Sequence, residues 1–159
     1  MATWLLKASN ILPDEILILA EAQLPSYERG SSLIETYLDQ AGWFVRPIQR
    51  SQLIDELFIP IYKAKNARTT TGPNASIQAT VSLYDVQDLA LLFMVFAMGA
   101  LVDLTQPPYN DEGEIYHQMA RYIVNMDAVS CTPSLCMIQT LCLVGSYRIM
   151  ANQIGRAHV

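Results

Sequence analysis

The chain has 159 residues, of which 52% are hydrophobic and 16% are charged, and its formal net charge is −5. A chain of this length can bury roughly 70% of the surface that it exposes when unfolded, so one domain with a substantial core is expected. The composition excludes a disordered tail. The excess of Asp and Glu over Lys and Arg also argues against a domain that binds nucleic acid by itself, because phosphate binding needs an excess of Lys and Arg.

Apolar residues recur at helical spacing over nearly the whole chain, which predicts an all-α fold of about six helices with no sheet. Helix-start signals support this reading: Pro13 before two acids, Ser32 before Glu35, Ser82 before Asp85, Asp111 before Glu114, and Thr132 before Pro133. The predicted helices are residues 13–24, 32–41, 51–58, 83–104, 112–126 and 133–150.

Residues that disfavour helices separate these segments. Gly42 is a predicted helix stop, and Pro47, Pro60 and residues 105–110 mark points where helices should end. Residues 68–76 are polar and aperiodic, so we expect them to form a surface loop. No signal peptide is predicted, because the first apolar run ends after three residues and no cations precede the next one.

Residues 89–102 form the most apolar run and are bracketed by Asp88 and Asp103. As a helix the run spans roughly 21 Å, short of the ~30 Å hydrocarbon layer of a bilayer. It is therefore predicted to be a core helix covered by neighbours on every side, and no membrane partner is expected. A membrane-associated helical protein that uses this run is the less favoured hypothesis.

The fifth predicted helix has two distinct sides. Its packing side is predicted to consist of Ile115, Met119, Tyr122, Ile123 and Met126, while His117, Gln118, Arg121 and Asn125 are predicted to meet water.

The sequence contains no recognisable catalytic, cofactor-binding or metal-ligand pattern. No catalytic, cofactor-binding or metal-binding residue is therefore predicted, and the chain is not expected to be an enzyme. Cys131, Cys136 and Cys142 lack metal-ligand spacing and are expected to be small buried hydrophobes in a reducing compartment. His117, predicted to be solvated, and His158 are the two histidines. Asp85 and Asp88 could imitate a catalytic carboxylate pair, but Asp85 is explained as a capping acid.

Half of all cations in the chain cluster in one stretch, namely Arg46, Arg50, Lys63, Lys65 and Arg68. Such a patch could contact DNA phosphate or an acidic partner. A solvated segment that keeps an apolar domain soluble is the favoured interpretation.

Several segments resemble the regulatory, or middle homology, domain of fungal transcription factors of the binuclear zinc cluster type. They are Leu33-Ile-Glu-Thr-Tyr37, Trp43-Phe44, Arg46-Pro47-Ile48, Arg50, residues 53–62, Ser82-Leu-Tyr-Asp85, residues 91–99, Asp103, and Pro133 to Gln139. The resemblance extends from about Ile16 to Asn152 and covers the N-terminal half of such a domain. It divides the chain into an N-terminal extension (1–15), a truncated regulatory domain (16–153) and a tail (154–159).

The resemblance implies an all-helical, non-enzymatic domain that regulates a nuclear DNA-binding protein or mediates its partner contacts. Protein partners or self-association through helical surfaces are expected. In the family, DNA and zinc are bound by a separate N-terminal module of six cysteines, which this chain does not contain, so neither can be assigned to a residue here. The alternative is a stand-alone small helical protein that binds a ligand or serves as a scaffold.

Residues 154–159 are interpreted as a non-native tail. Their sequence is encoded by ATC GGA AGA GCA CAC GTC, which matches the start of a common sequencing-library adapter, so we expect the native sequence to depart from this one after about Gln153. Truncation should leave the helices at 83–104 and 133–150 with exposed apolar patches, and the fragment is then expected to associate or aggregate.

Overall fold

The computed structural model describes residues 13–71, 84–107, 110–127 and 134–157, and within these ranges the protein is all-α, with six helices and no strand. The α-helices are α1 (Pro13–Ala22), α2 (Tyr27–Thr36), α3 (Ile59–Thr71), α4 (Val86–Leu101), α5 (Asp111–Asp127) and α6 (Leu135–Ala157). A π-helical segment, Tyr37–Ala41, continues α2, and a second one, Gln52–Phe58, leads directly into α3. The predicted fold class is confirmed.

The centre of the fold is α4, whose residues 89–100 are all buried. It packs against α2, α5, α6 and both π-helical segments. The prediction of a core helix covered on every side is confirmed. The expectation that this helix exposes an apolar patch is wrong, because neighbouring helices of the same chain already cover it.

The start of α4 lies three residues later than predicted. The Asp85 carboxylate accepts a hydrogen bond from the Val86 N–H at 2.6 Å, and the Asp88 carboxylate accepts from the Asp85 N–H at 3.0 Å. Asp85 is therefore the capping residue itself. Asp88 is the third helical residue of the capping box, whose side chain accepts from the N–H of the cap. Ser82, the predicted cap, lies outside the described residues.

The start of α2 was also predicted too late. Ser26 caps the helix by accepting from the Arg29 N–H at 3.2 Å, so Ser32 lies inside it. Gly30 and the serines after it have weak helix propensity, but Gly30 is packed where a Cβ would come within 2.8 Å of the Tyr62 hydroxyl oxygen. Tertiary packing thus extends the helix beyond what local propensity indicates.

Gly42 ends the π-helical continuation of α2, as predicted, and its N–H donates to the Tyr37 carbonyl at 2.7 Å. Pro60, in contrast, does not end a helix, and that prediction is wrong. The Ile59 N–H donates five residues back, to the Ile54 carbonyl, so hydrogen bonding changes from π to α pattern around Pro60. Proline has no backbone N–H to donate, and at this change of hydrogen-bond pattern the missing donor costs little stability.

The predicted loop at 68–76 is wrong for its first four residues, which belong to α3. The hydroxyls of Thr69 and Thr70 donate to the carbonyls of Lys65 and Asn66, each at 2.9 Å, and so remain satisfied within the helix. The remainder of the predicted loop lies outside the described residues.

The faces of α5 differ from the prediction at two positions. Met119 and Ile123 are buried as expected, but Ile115 is exposed and His117 is buried. His117 is covered because Tyr147 of α6 stacks on its ring, with centroids 4.4 Å apart. The packing side of α5 is therefore rotated toward α6.

The last helix begins two residues later than predicted, and the Ser134 hydroxyl accepts from the Met137 N–H at 3.2 Å. It continues to Ala157 rather than ending at residue 150, so the expected break before residues 154–159 is absent from the backbone up to 157. The interpretation of this tail as non-native concerns its origin and stays a prediction.

Candidate interaction surface

The inner side of α6 is held by contacts to three other parts of the fold. The Gln139 side-chain amide donates to the Pro47 carbonyl at 2.9 Å and to the Gln52 side chain at 3.2 Å. Leu143 is fully buried, and Tyr147 stacks on His117. Because these contacts lie on one side of α6, they determine which residues face outward.

The outward residues of α6 form a continuous apolar stripe. Its large members are 52–63% exposed, and between them Cys142 is exposed and Gly145 has no heavy atom within 4 Å of where a Cβ would lie. We define the α6 outer face as Leu135, Ile138, Leu141, Cys142, Gly145 and Ile149. Residues three and four apart share one side of a helix, so these positions are neighbours, and a contiguous exposed apolar patch is typical of an interaction site.

The charged groups around α6 differ between its two ends. Near its first turn, Asp88, Asp85 and Glu56 lie close enough to influence the Cys136 thiol. The helix itself contains no acidic residue, and Arg148 is exposed in its second half. The acids approach α6 on the side of Cys136, which faces Asp88 of α4 and lies away from the outer face.

The Cys136 thiol resists ionisation and is therefore poorly reactive. Its burial, together with the hydrogen bond that its sulfur donates to the Asp88 carboxylate at 3.0 Å, raises its pKa to about 12. Asp85 and Asp88 form the two halves of the capping box of α4. Cys142, which was expected to be buried, is exposed, while Cys131 lies outside the described residues.

His117 is only 3% exposed, so the prediction of a solvated histidine is wrong. Neither ring nitrogen has a hydrogen-bond partner, although Nδ1 lies 3.6 Å from the Glu114 carboxylate. Burial lowers the pKa of His117, Arg121 and Arg148 lower it further, and Glu114 opposes the shift. The ring acts as a neutral packing group against Tyr147.

Arg29 of α2 pairs with Glu112 of α5 and with Asp103 in the turn after α4. Its guanidinium donates to both oxygens of Glu112 at 3.1 and 2.6 Å, and to Asp103 at 3.0 Å. Burial opposes ionisation of Asp103, but hydrogen bonds from Thr105 and Arg29 outweigh it and lower the pKa of this carboxyl. Such bidentate pairing positions elements rigidly, so we assign the cluster a structural role.

The clustered cations do not form a single free patch. Arg50 is paired with Glu35 at 2.5 Å, Arg68 with the buried Glu21 at 2.6 Å, and the Lys65 ammonium donates to the Leu24 carbonyl at 3.2 Å. Burial raises the pKa of Glu21 although Arg68 opposes the shift. The side chains of Arg46 and Lys63 are exposed. The distribution favours the interpretation of a solvated, internally paired segment.

A second exposed apolar feature is the turn after the first π-helical segment. Trp43 is 80% exposed, and Phe44 packs edge-on against it with ring centroids 5.8 Å apart. The two residues carry part of the family resemblance, and here they lie on the surface instead of in the core.

Among the described residues, no group of three or more His, Cys, Asp or Glu side chains is arranged to hold a metal ion.

A hollow beside α5 and α6, lined in part by Ile123, Met137 and Thr140, has about 160 Å³ of empty space. No helix in the described ranges combines the length and apolar character that a membrane span requires.

Comparison of the chain with models of protein families, with curated proteins and with solved structures finds no match. The resemblance to fungal regulatory domains therefore stays a prediction. The α6 outer face was not predicted as a specific site, although the sequence carries a signal for it: Leu135, Ile138, Cys142, Gly145 and Ile149 follow one another at alternating steps of three and four.

Proposed function

We propose that this chain is a non-enzymatic protein-interaction module that regulates transcription in the nucleus, as the regulatory domain of a fungal transcription factor of the binuclear zinc cluster type. The observation that carries the interaction role is the α6 outer face. Four large aliphatic side chains, each more than half exposed, lie on a helix whose other side is firmly held. Burying them against a partner would gain hydrophobic free energy that the isolated chain forgoes.

The family assignment is supported by the resemblance of the sequence segments and by the all-α architecture. In that family DNA and zinc belong to a separate module, so this chain would act on the output of the regulator rather than on DNA directly. No residue of this chain is proposed to bind DNA or zinc.

The alternative of a ligand-binding protein has weaker support. Pockets for small molecules usually enclose roughly 300–1,000 Å³. The hollow beside α5 and α6 is too narrow to admit a water molecule, and its 160 Å³ of empty space includes open solvent. The core around α4 is filled by its own side chains.

The regulatory role can be tested by fusing the chain to an unrelated DNA-binding domain and measuring a reporter gene in a fungal host. The fusion should change reporter output relative to the DNA-binding domain alone, and Ile138→Ser should abolish the change. Leu104→Ser is the matched control, since Leu104 is 89% exposed in the turn after α4, outside the α6 outer face. Reporter output that is unaffected by the fusion would refute the proposal.

The family assignment has its own test, which is to sequence the genomic locus around this reading frame. A segment with six cysteines upstream in the same frame supports the assignment. An in-frame stop directly before Met1 would contradict it.

A further inference from the structure

We propose that the side of α3 that holds α1 is a helix-binding site, that α1 is its displaceable occupant, and that an acidic amphipathic helix of another protein binds there when α1 leaves. We define this α1 site as Tyr62, Lys65 and Arg68, which contact the end of α1 and the residues after it. The site is separate from the α6 outer face, so the inference goes beyond the proposed function.

The first helix is held along one side only. Buried and exposed residues alternate at helical spacing through its second half, and the exposed ones include Ile18 and Leu19, at 46% and 48%. The buried positions are Leu17, Ala20, Glu21 and, just after the helix, Leu24. An amphipathic helix that docks into a groove of a separate protein uses these same steps of three, four and seven residues for its anchors. The first helix therefore lies on the fold as a separate helical ligand would.

Two of the three α3 contacts reach backbone atoms. The Tyr62 hydroxyl donates to the Pro25 carbonyl at 2.8 Å, and the Lys65 ammonium donates to the Leu24 carbonyl at 3.2 Å. The C-terminal end of any α-helix leaves carbonyls without a partner inside the helix. These two contacts therefore do not depend on the side chains of the bound segment, and another helix could accept the same hydrogen bonds.

The third contact determines the charge that the α1 site accepts. Arg68 lies 2.6 Å from the Glu21 carboxylate, and Lys65 attracts the same carboxylate. Opposite charges across an interface favour the matching partner, and a cation at this position would be repelled. The site thus fits a helix whose apolar anchors are accompanied by one carboxylate, four residues after the first anchor.

The way in which α1 is held makes it displaceable. It has ten residues, and isolated helices shorter than about 12–15 residues are marginal in water, so α1 gains little from its own helix formation. Glu21 Oε1 and Arg68 Nη2 are buried and have no hydrogen-bond partner among the described residues. A buried ion pair that leaves polar atoms unsatisfied stabilises weakly, because the loss of solvation offsets the attraction. A helix that satisfies these atoms can therefore compete with α1.

The first test measures binding of a fluorescein-labelled peptide of residues 13–26 to the full chain by fluorescence anisotropy. In the wild type the tethered α1 competes at a high effective concentration, so binding should be weak. In a Glu21→Lys chain, Arg68 and Lys65 repel the chain's own α1, and the peptide should bind roughly tenfold more tightly or better. A peptide that itself carries Glu21→Lys should lose this gain. Equal affinities of the two chains for the unmodified peptide would overturn the proposal.

Two control variants separate the α1 site from other causes of binding. Glu56→Lys makes the same change of charge at an exposed position outside α1, and it should bind the peptide like the wild type. Ile138→Ser, added to Glu21→Lys, alters the α6 outer face and should leave peptide binding unchanged. Tighter binding by Glu56→Lys would show that net charge attracts the peptide, and a loss on adding Ile138→Ser would place the peptide on the α6 outer face. Either result would refute the inference.

Hydrogen exchange provides a second test that does not depend on the folding of Glu21→Lys. In the wild type the amides of residues 17–22 should exchange through an opening that leaves α4 protected. Glu21→Gln keeps the shape of the side chain and removes its charge, so it should speed this exchange roughly tenfold without affecting α4. Glu56→Gln is the control and should change neither. Exchange of the α1 amides only together with those of α4, or no acceleration in Glu21→Gln, would contradict a displaceable α1.

Discussion

Gly99 of α4 lies directly against the backbone carbonyl of Leu33 in α2, and a Cβ at position 99 would overlap that oxygen. The two helices approach each other this closely because α4 has no side chain at the crossing point. Since backbone rather than a flexible side chain occupies the space, the neighbour cannot yield by changing rotamer.

Gly99→Ala should therefore lower the free energy of unfolding by about 1–3 kcal/mol, the usual cost of overpacking a core. Gly145→Ala is the matched control, because its added methyl group meets open space and the change should raise stability by about 0.5–1 kcal/mol through helix propensity. Urea denaturation followed by circular dichroism measures both. Equal effects of the two substitutions would show that the α2–α4 approach is not as close as described.

Arg29 should contribute more to stability than Arg50, although both pair with carboxylates. Arg29→Gln removes a guanidinium that bonds to Glu112 and Asp103 in a partly buried setting and should cost about 2 kcal/mol. Arg50→Gln disrupts an exposed pair with Glu35, for which no measurable change is expected. Denaturation midpoints of the two variants provide the comparison, and a larger loss for Arg50→Gln would contradict it.

His117 should make the protein less stable as the pH falls. Burial keeps the folded-state pKa of His117 below its usual value, so on acidification the unfolded chain binds a proton before the folded chain does. The free energy of unfolding should therefore decrease between about pH 7.5 and about pH 5.5. His117→Phe, which preserves ring packing on Tyr147, should flatten this decrease. Identical pH profiles for the wild type and the variant would count against a buried neutral histidine.

The two described cysteines should differ in reactivity. Burial and the bond to Asp88 raise the pKa of Cys136 to about 12, so little thiolate forms near pH 8, whereas Cys142 is exposed. Iodoacetamide should label Cys142 much faster than Cys136, as measured over time by tandem mass spectrometry that locates the label within the tryptic peptide 122–148, which contains both residues. Asp88→Asn should accelerate labelling of Cys136. Similar rates at both sites in the wild type would disprove the assignment.

The helix boundaries show where local sequence information was sufficient. The start of α5 was predicted within one residue, because Asp111 and Glu114 are a local start signal. The side chain that accepts from the Gly113 N–H, at 3.3 Å, is however that of Asn110, one residue before the predicted cap. The start of α2 was missed by five residues, because Gly30 is helical only through its packing against Tyr62 and Phe58. Pro60 was misjudged for a related reason, since a π-helical segment before it cannot be recognised from propensity.

The sequence by itself determined the all-α class, the number of helices and the burial of α4, because helical periodicity and capping depend on residues a few positions apart. Only the tertiary structure decided which faces are covered. His117 is buried because α6 lies across it, and Leu135 and Ile149 are exposed because no other part of the described chain packs against that side of α6. Two apolar stripes look alike in a sequence, and the difference between a core and an interaction surface comes from contacts between residues far apart in the chain.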